Sequence, residues 1–263
     1  MLNREQYLDF HTEYYNSLEN STNPENSYLP YDIHNIQANT ATGPQWLIFH
    51  QLAENFIREL LNANNQFLTN IRKLEIWIEI LNECHEEIKN DLIFEIISPL
   101  GSYVIGTPYI VKQRYIYSAV MITHQTRMLQ DPTINDGSLK ERKIGINTVK
   151  GYRDSFSSMP QFTDILVQID NDDFVNVTSN YRNLNQHRIP PRIEVGLGMT
   201  FNRFRASDGS VSYGLGGTQA LRLTDIIPTL YNQHQFCNDT FYAIWSFINE
   251  QVLVWKEIRP NNT

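Results

Sequence analysis

The chain has 263 residues, of which 41% are hydrophobic, and its formal net charge is −8 at pH 7. A chain of this size can bury a large core, but its negative charge excludes binding to nucleic acid or an anionic membrane through the field of the whole molecule. Any such contact needs a local basic patch. The first residues show no secretory signal pattern, and no run reaches the roughly 18 apolar residues of a membrane span. We therefore expect a cytoplasmic protein without a membrane segment.

The N-terminal segment 1–44 is predicted to hold one helix and a long loop. Aromatic and leucine side chains recur at helical spacing over residues 4–18, which favours a helix. Residues 20–44 are rich in Asn, Ser, Thr and Pro, a composition typical of loops. This loop is longer than most connections in compact domains, so we expect it to cover a surface or to move.

Segment 45–190 is predicted to form a helical bundle, because apolar residues recur there every three or four positions. Thr69 is the predicted N-cap that separates the first two helices. Residues 91–101 are expected to form a short buried element that ends at Pro99. The helices are predicted at 45–65, at about 69–89, at 108–130 with Pro108 in the first turn, and at 161–187.

The C-terminal part changes character after the proline pair. Residues 192–218 alternate apolar and polar side chains around Asp208–Gly209, a dipeptide that favours a two-residue β-hairpin turn. A long helix is predicted at 224–258. The predicted fold is therefore mainly α, a helical bundle with one β-hairpin inserted before the C-terminal helix, in a single domain of residues 1–263.

Neither the glycines nor the cysteines indicate a phosphate loop or a metal site. Gly196–Gly198 and Gly214–Gly217 lack the spacing and the Lys-Ser/Thr pair of a phosphate loop, so they are interpreted as hairpin glycines. The four residues of Cys84–Glu87 stand at consecutive helix positions and point in different directions. We expect no metal and no cofactor.

The arginines are concentrated in one stretch. Between residues 182 and 205, five arginines stand against one acid, Glu194. Solvated side chains on a helix end and a hairpin explain this stretch as well as a patch that faces phosphate does. The five are Arg182, Arg188, Arg192, Arg203 and Arg205.

The stretch NYRNLNQHRIPPR, residues 180–192, combines an arginine, an amide and an imidazole just before two prolines. If it is helical, Asn183 and His187 lie one turn apart on one face, and Arg182 reaches the same space. Pro190 disfavours helical geometry at the residue before it, so His187 is expected in the last turn, where the carbonyl ends favour its charged form. Arginine binds phosphate with a bidentate fork, and histidine transfers protons. These groups suffice to cleave RNA without a metal.

This stretch resembles the Arg-x(4–6)-His signature of the HEPN superfamily, in which a polar residue, often Asn, follows the arginine. The matching residues are Arg182, Asn183 and His187. The resemblance implies a helical bundle in which the motif helix packs against a long preceding helix. Many HEPN proteins are metal-independent ribonucleases of toxin–antitoxin, CRISPR-linked and anti-phage systems. They typically dimerise, so that two copies of the motif form a composite site.

By this resemblance the chain is expected to be a homodimeric endoribonuclease that cleaves RNA in a defence or toxin–antitoxin setting. Arg182 would bind the scissile phosphate, His187 would transfer a proton, and Asn183 would orient one of them. Further contacts to phosphate or base are expected from Tyr181, Arg188 and Arg192.

A second interpretation is a non-catalytic HEPN-like dimeric scaffold that binds a partner protein or a nucleotide. The acidic net charge favours it, because a nuclease with this charge must overcome repulsion from RNA. A toxic nuclease also needs restraint, so an inhibitory or regulatory protein partner is expected, with the acidic N-terminal half as its docking place.

Overall fold

The structure is a computed structural model, and it describes residues 2–20, 28–34, 43–198 and 201–258. These residues are mainly helical, with a small β insertion before the C-terminal helix, which confirms the predicted fold class. The α-helices are α1 (Arg4–Asn20), α2 (Pro44–Glu83), α3 (Glu86–Leu92), α4 (Ser98–Gln130), α5 (Ile146–Gly151), α6 (Met159–Leu166), α7 (Asp172–Val177), α8 (Tyr181–His187) and α9 (Leu223–Ile258). The strands are β1 (Leu197–Gly198), β2 (Phe201–Arg205), β3 (Val211–Leu215) and β4 (Thr218–Gln219).

The chain divides into two compact units that are not consecutive in sequence. The first unit comprises Met1–Asn26, Phe67–Thr107 and Asn171–Asn232. The second unit comprises Ser27–Gln66, Pro108–Asp170 and Gln233–Thr263. Each of the three long helices, α2, α4 and α9, therefore contributes one part to each unit.

Helix α2 is continuous where two helices were predicted. The predicted break at Thr69 is wrong because the asparagines before it have hydrogen-bond partners outside the helix. Asn64 Nδ2 donates to Tyr115 Oη at 2.8 Å. The Asn65 side chain accepts from the amide of Leu29 at 2.8 Å and donates to its carbonyl at 2.9 Å. Amides that are satisfied in this way no longer compete with the helix backbone.

The short element predicted at 91–101 is part of a longer helical run. A π-helical segment, Ile93–Ile97, joins α3 to α4. Pro99 lies just after this segment, at the second residue of α4, and proline has no N–H to donate to the preceding turn. Pro108 lies inside the helix. The predicted third helix is thus the second part of α4.

The predicted hairpin is present, and its loop is one residue longer than expected. Strand β2 pairs antiparallel with β3, and β1 pairs antiparallel with β4. The amide of Ala206 donates to the carbonyl of Ser210 at 2.9 Å, so residues 207–209 form a three-residue loop. Gly209 has a φ of 86°, a left-handed geometry that glycine adopts without strain.

The two ends of the chain also follow the prediction. Helix α1 includes the predicted N-terminal helix, and α9 covers the predicted C-terminal helix. Within the predicted loop at 20–44, residues 21–27 and 35–42 lie outside the described residues, and Tyr31–His34 forms a 3₁₀ turn. In the part of the chain that the structure describes, no helix combines the length and the apolar character of a membrane span.

Each unit has its own apolar core. In the second unit, the rings of Phe49 and Trp255 are buried with their centroids 5.0 Å apart. In the first unit, Leu92, Phe174 and Leu223 are fully buried. Helix α8 and the strands belong to the first unit.

Candidate functional site

Helix α8, which carries the predicted motif, begins after a tight reversal of the chain. Ser179 and Asn180 both have left-handed backbone geometry, with φ of 51° and 55°. The amide of Asn180 donates to the carbonyl of Val175 at 2.7 Å and closes the turn. Asparagine tolerates this geometry better than most residues. The helical region predicted at 161–187 is therefore broken into α6, α7 and α8, and the motif has a seven-residue helix of its own.

Tyr181 anchors α8 within the first unit. Its side chain is only 4% exposed, and its Oη lies 2.5 Å from the Oγ of Ser102 in α4. Buried tyrosine hydroxyls usually have such a partner. Tyr181, which the sequence suggested as a contact to substrate, thus holds the motif helix against α4, and it also lines a cavity beside that helix.

The motif residues Asn183 and His187 lie on the side of α8 that faces away from Tyr181. At roughly 100° per residue, Asn183 is about 200° around the helix axis from Tyr181, and His187 is about 240° from it. Asn183 and Arg182 are half-buried, whereas His187 is exposed. The helix therefore presents the amide and the imidazole together on an outward face.

Helix α8 ends at His187, as the proline pair predicted. The amide of Arg188 still donates to the carbonyl of Leu184 at 2.7 Å. The backbone of Arg188 itself is extended, with φ of −149°, and Pro190 follows two residues later. His187 thus occupies the last turn of the helix.

Two cavities of the first unit flank the chain where it leaves α8. One, of about 560 Å³, is lined by Arg188 and Arg203. The other, of about 380 Å³, is lined by Asn185 and Arg192. The segment Ile189–Pro191 lines both. The two arginines predicted as supporting contacts therefore lie on different cavities, and the three motif residues line neither of these two.

Glu194, the one acid of the arginine-rich stretch, is buried and serves the start of α9. Its Oε1 accepts a hydrogen bond from the amide of Leu223 at 2.6 Å, and its Oε2 lies 3.3 Å from the guanidinium of Arg222. A carboxylate at a helix N-terminus stabilises the amides there. The carboxylate of Glu194 thus has its partners inside the protein, whereas four arginines of the stretch are exposed. These are Arg188, Arg192, Arg203 and Arg205.

Two contacts that shape this region have no signal in the local sequence. Ser102 lies 79 positions before its partner Tyr181, and a serine within a helix gives no sign of such a bond. The burial of Glu194 depends on Leu223, which is 29 positions away. Only the burial of Tyr181 had a local signal, because helical spacing places Tyr181 on the side of the helix opposite Asn183.

Comparison with protein-family models, with curated proteins and with solved structures gives no match. Among the described residues, no group of three or more His, Cys, Asp or Glu side chains is placed to hold a metal ion.

Proposed function

We propose that the chain is a metal-independent endoribonuclease of the HEPN type that acts as a homodimer in a defence or toxin–antitoxin setting. The observation that supports this most is the geometry of α8. It is a short helix, anchored by Tyr181, that presents Asn183 and His187 on one outward face. Arg182 precedes them on the same helix.

Each motif residue has a distinct role in the proposed reaction. The ribose 2′-hydroxyl attacks the neighbouring phosphorus, the bond from phosphorus to the 5′-oxygen breaks, and a cyclic phosphate and a free 5′-hydroxyl result. Arg182 stabilises the negative charge that develops on the phosphate oxygens. His187 takes the proton of the 2′-hydroxyl or gives a proton to the leaving oxygen. Asn183 orients one of these groups through a hydrogen bond.

The outward position of the motif supports the participation of a second copy. One exposed histidine cannot serve at the same moment as the base for the attacking hydroxyl and the acid for the leaving oxygen. Two copies of α8 that face each other across a two-fold axis would supply both histidines and would exclude water from the phosphate.

The deciding experiment is cleavage of total cellular RNA in EDTA by four forms of the full chain. These are the wild type, Arg182→Ala, His187→Ala and the control Gln186→Ala, which changes an exposed neighbour on the same helix. We expect the two motif variants to lose at least roughly a hundredfold in rate. The control should keep its rate, and circular dichroism should show the same fold for all four.

A non-catalytic dimeric scaffold is the second candidate, and one observation favours it. The motif residues line neither cavity beside α8, so neither cavity would hold a substrate against them. This candidate predicts that none of the four proteins cleaves RNA. It also predicts that Arg182→Ala and His187→Ala weaken self-association, which sedimentation measures, whereas Gln186→Ala does not.

A further inference from the structure

The β ribbon of the first unit, formed by β2, β3 and their loop, has two unlike faces. The register of the strands sets five cross-strand pairs directly opposite one another. Because alternate pairs project from the same side of a ribbon, the first, third and fifth pairs share one face, which we call the ribbon face. Its pairs are Phe201 with Leu215, Arg203 with Tyr213, and Arg205 with Val211.

The opposite face carries Phe204 and Gly214. There the ring of Phe204 lies over Gly214, since a Cβ added at Gly214 would come within 2.8 Å of that ring. A glycine in a strand commonly marks such a close approach. Phe204, which is 55% exposed, is the one large apolar side chain that β2 and β3 place on this side, whereas the ribbon face carries four.

The ribbon face is open to solvent along its length. Tyr213 is 70% exposed, Leu215 is 84% exposed and Phe201 is 58% exposed. Arg203 and Arg205 are exposed beside them. Large aromatic and aliphatic side chains that are grouped and exposed in this way mark an interaction surface.

The composition of the ribbon face favours single-stranded nucleic acid over protein as its occupant. Aromatic rings stack on unpaired bases, and arginines pair with the phosphates between them. Residues 195–207 contain no acid. Asp208 lies in the loop, where its carboxylate accepts a hydrogen bond from the amide of Ser210 at 2.8 Å. A duplex keeps its bases stacked inside, so the rings would select a single strand.

Arg203 connects the ribbon face to the end of α8. It lines the cavity of about 560 Å³ together with Arg188, the residue that follows α8. Gly198 and Thr218, from the paired strands β1 and β4, line the same cavity. We infer that the ribbon face binds single-stranded RNA and guides it along this cavity to the C-terminal end of α8, at Arg188. Cleavage of the bound RNA rests on the proposed function, whereas its binding to the ribbon face can be measured independently of cleavage.

The test is fluorescence anisotropy of a labelled single strand of about 12 nucleotides with the full chain. The strand carries 2′-O-methyl groups, which prevent attack by the 2′-hydroxyl, and the same sequence is also offered as a duplex. We expect the single strand to bind more tightly than the duplex. Tyr213→Ala should raise the Kd about tenfold, because one stacked base is lost. Changing Arg203 and Arg205 together to Ala should reduce the slope of log K against log salt by about 1.4, at about 0.7 per lost phosphate contact.

Two control proteins remove one tyrosine or two cationic side chains from exposed sites of the second unit. Tyr242→Ala removes an exposed tyrosine of α9. A double change of Arg142 and Lys143 to Ala removes two exposed cations of a 3₁₀ turn. Both controls should bind the single strand like the wild type.

Four results would overturn the inference. They are no binding by the wild type, equal binding of duplex and single strand, equal binding by ribbon variants and controls, and a loss of self-association in the ribbon variants without any change in RNA affinity. The last result would assign the ribbon face to a protein contact. Ribbon-dependent binding without cleavage of unmodified RNA would refute the nuclease alone. Cleavage that the ribbon variants retain in full, with unchanged binding, would refute the ribbon inference alone.

Discussion

The α8 helix and a buried polar layer in the second unit are built from the same side-chain types with opposite results. The polar layer consists of Asn64, Tyr115, His234 and the carbonyl of Cys237. Asn64 Nδ2 donates to Tyr115 Oη at 2.8 Å and to the Cys237 carbonyl at 3.1 Å, and Tyr115 Oη donates to the same carbonyl at 2.9 Å. His234 adds a hydrogen bond to the backbone of Asn64. In this layer the amide, the phenol and the imidazole all serve the fold.

In α8 only the tyrosine serves the fold in this way. Tyr181 is buried against Ser102, whereas Asn183 and His187 turn outward. Buried polar groups need internal partners, because the loss of water is otherwise uncompensated. Residue type alone therefore does not distinguish a structural asparagine or histidine from a candidate catalytic one. Burial and hydrogen-bond partners do.

The same substitution in both regions gives the largest expected difference in stability. We expect Asn64→Ala to lower the free energy of unfolding by about 3 kcal/mol, because it leaves a cavity and deprives Tyr115 and Cys237 of a buried donor. Asn183→Ala should lower it by less than about 1 kcal/mol, because that side chain is half-exposed. Urea denaturation of both variants and the wild type measures the two changes. Equal losses of stability in the two variants would contradict the difference between the buried and the outward-facing asparagine.

The pH dependence of stability tests the role of His234 in the buried polar layer. Burial lowers the pKa of this imidazole from 6.5 to about 4. Between these values the unfolded chain binds a proton that the native protein does not, so stability falls as the pH falls through this window. At pH 5 the expected loss relative to neutral pH is about 2 kcal/mol, from about 1.4 kcal/mol per pH unit.

The variant His234→Gln isolates this contribution from that of the carboxyl groups. It keeps a donor for the Asn64 backbone and has no titrating ring. Urea unfolding at pH 7 and pH 5 should show a smaller acid-induced loss for the variant than for the wild type, by about 2 kcal/mol. Parallel losses in the two proteins would mean that His234 remains protonatable in the native state.

The smallest expected change in stability concerns Glu194, the buried acid of the arginine-rich stretch. Glu194→Gln should lower the free energy of unfolding by about 1 kcal/mol, since the start of α9 loses its carboxylate. The matched control is Arg222→Ala, which removes the exposed partner of the same ion pair and should cost less than about 0.5 kcal/mol. A larger loss for Arg222→Ala would assign the stabilisation to the ion pair and not to the helix end.

Much of the secondary structure followed from local patterns, and the errors have a common cause. The apolar period predicted α9, and Pro190 predicted that α8 ends at His187. The false break in α2 arose because Thr69 suggested an N-cap. The asparagines before Thr69 have partners far along the chain, Leu29 at 36 positions from Asn65 and Cys237 at 173 positions from Asn64. A local pattern contains no information about bonds of that range.

Local sequence patterns were sufficient to predict the helix of 224–258, the hairpin turn that contains Asp208–Gly209, and the one-turn spacing of Asn183 and His187. These features depend on φ preferences and on side-chain spacing within a few residues. Only the tertiary structure decided that Tyr181 and Glu194 are buried and that Arg188 and Arg203 line one cavity. Burial and cavities depend on which distant segments pack together, and a side chain meets those segments only in the folded chain.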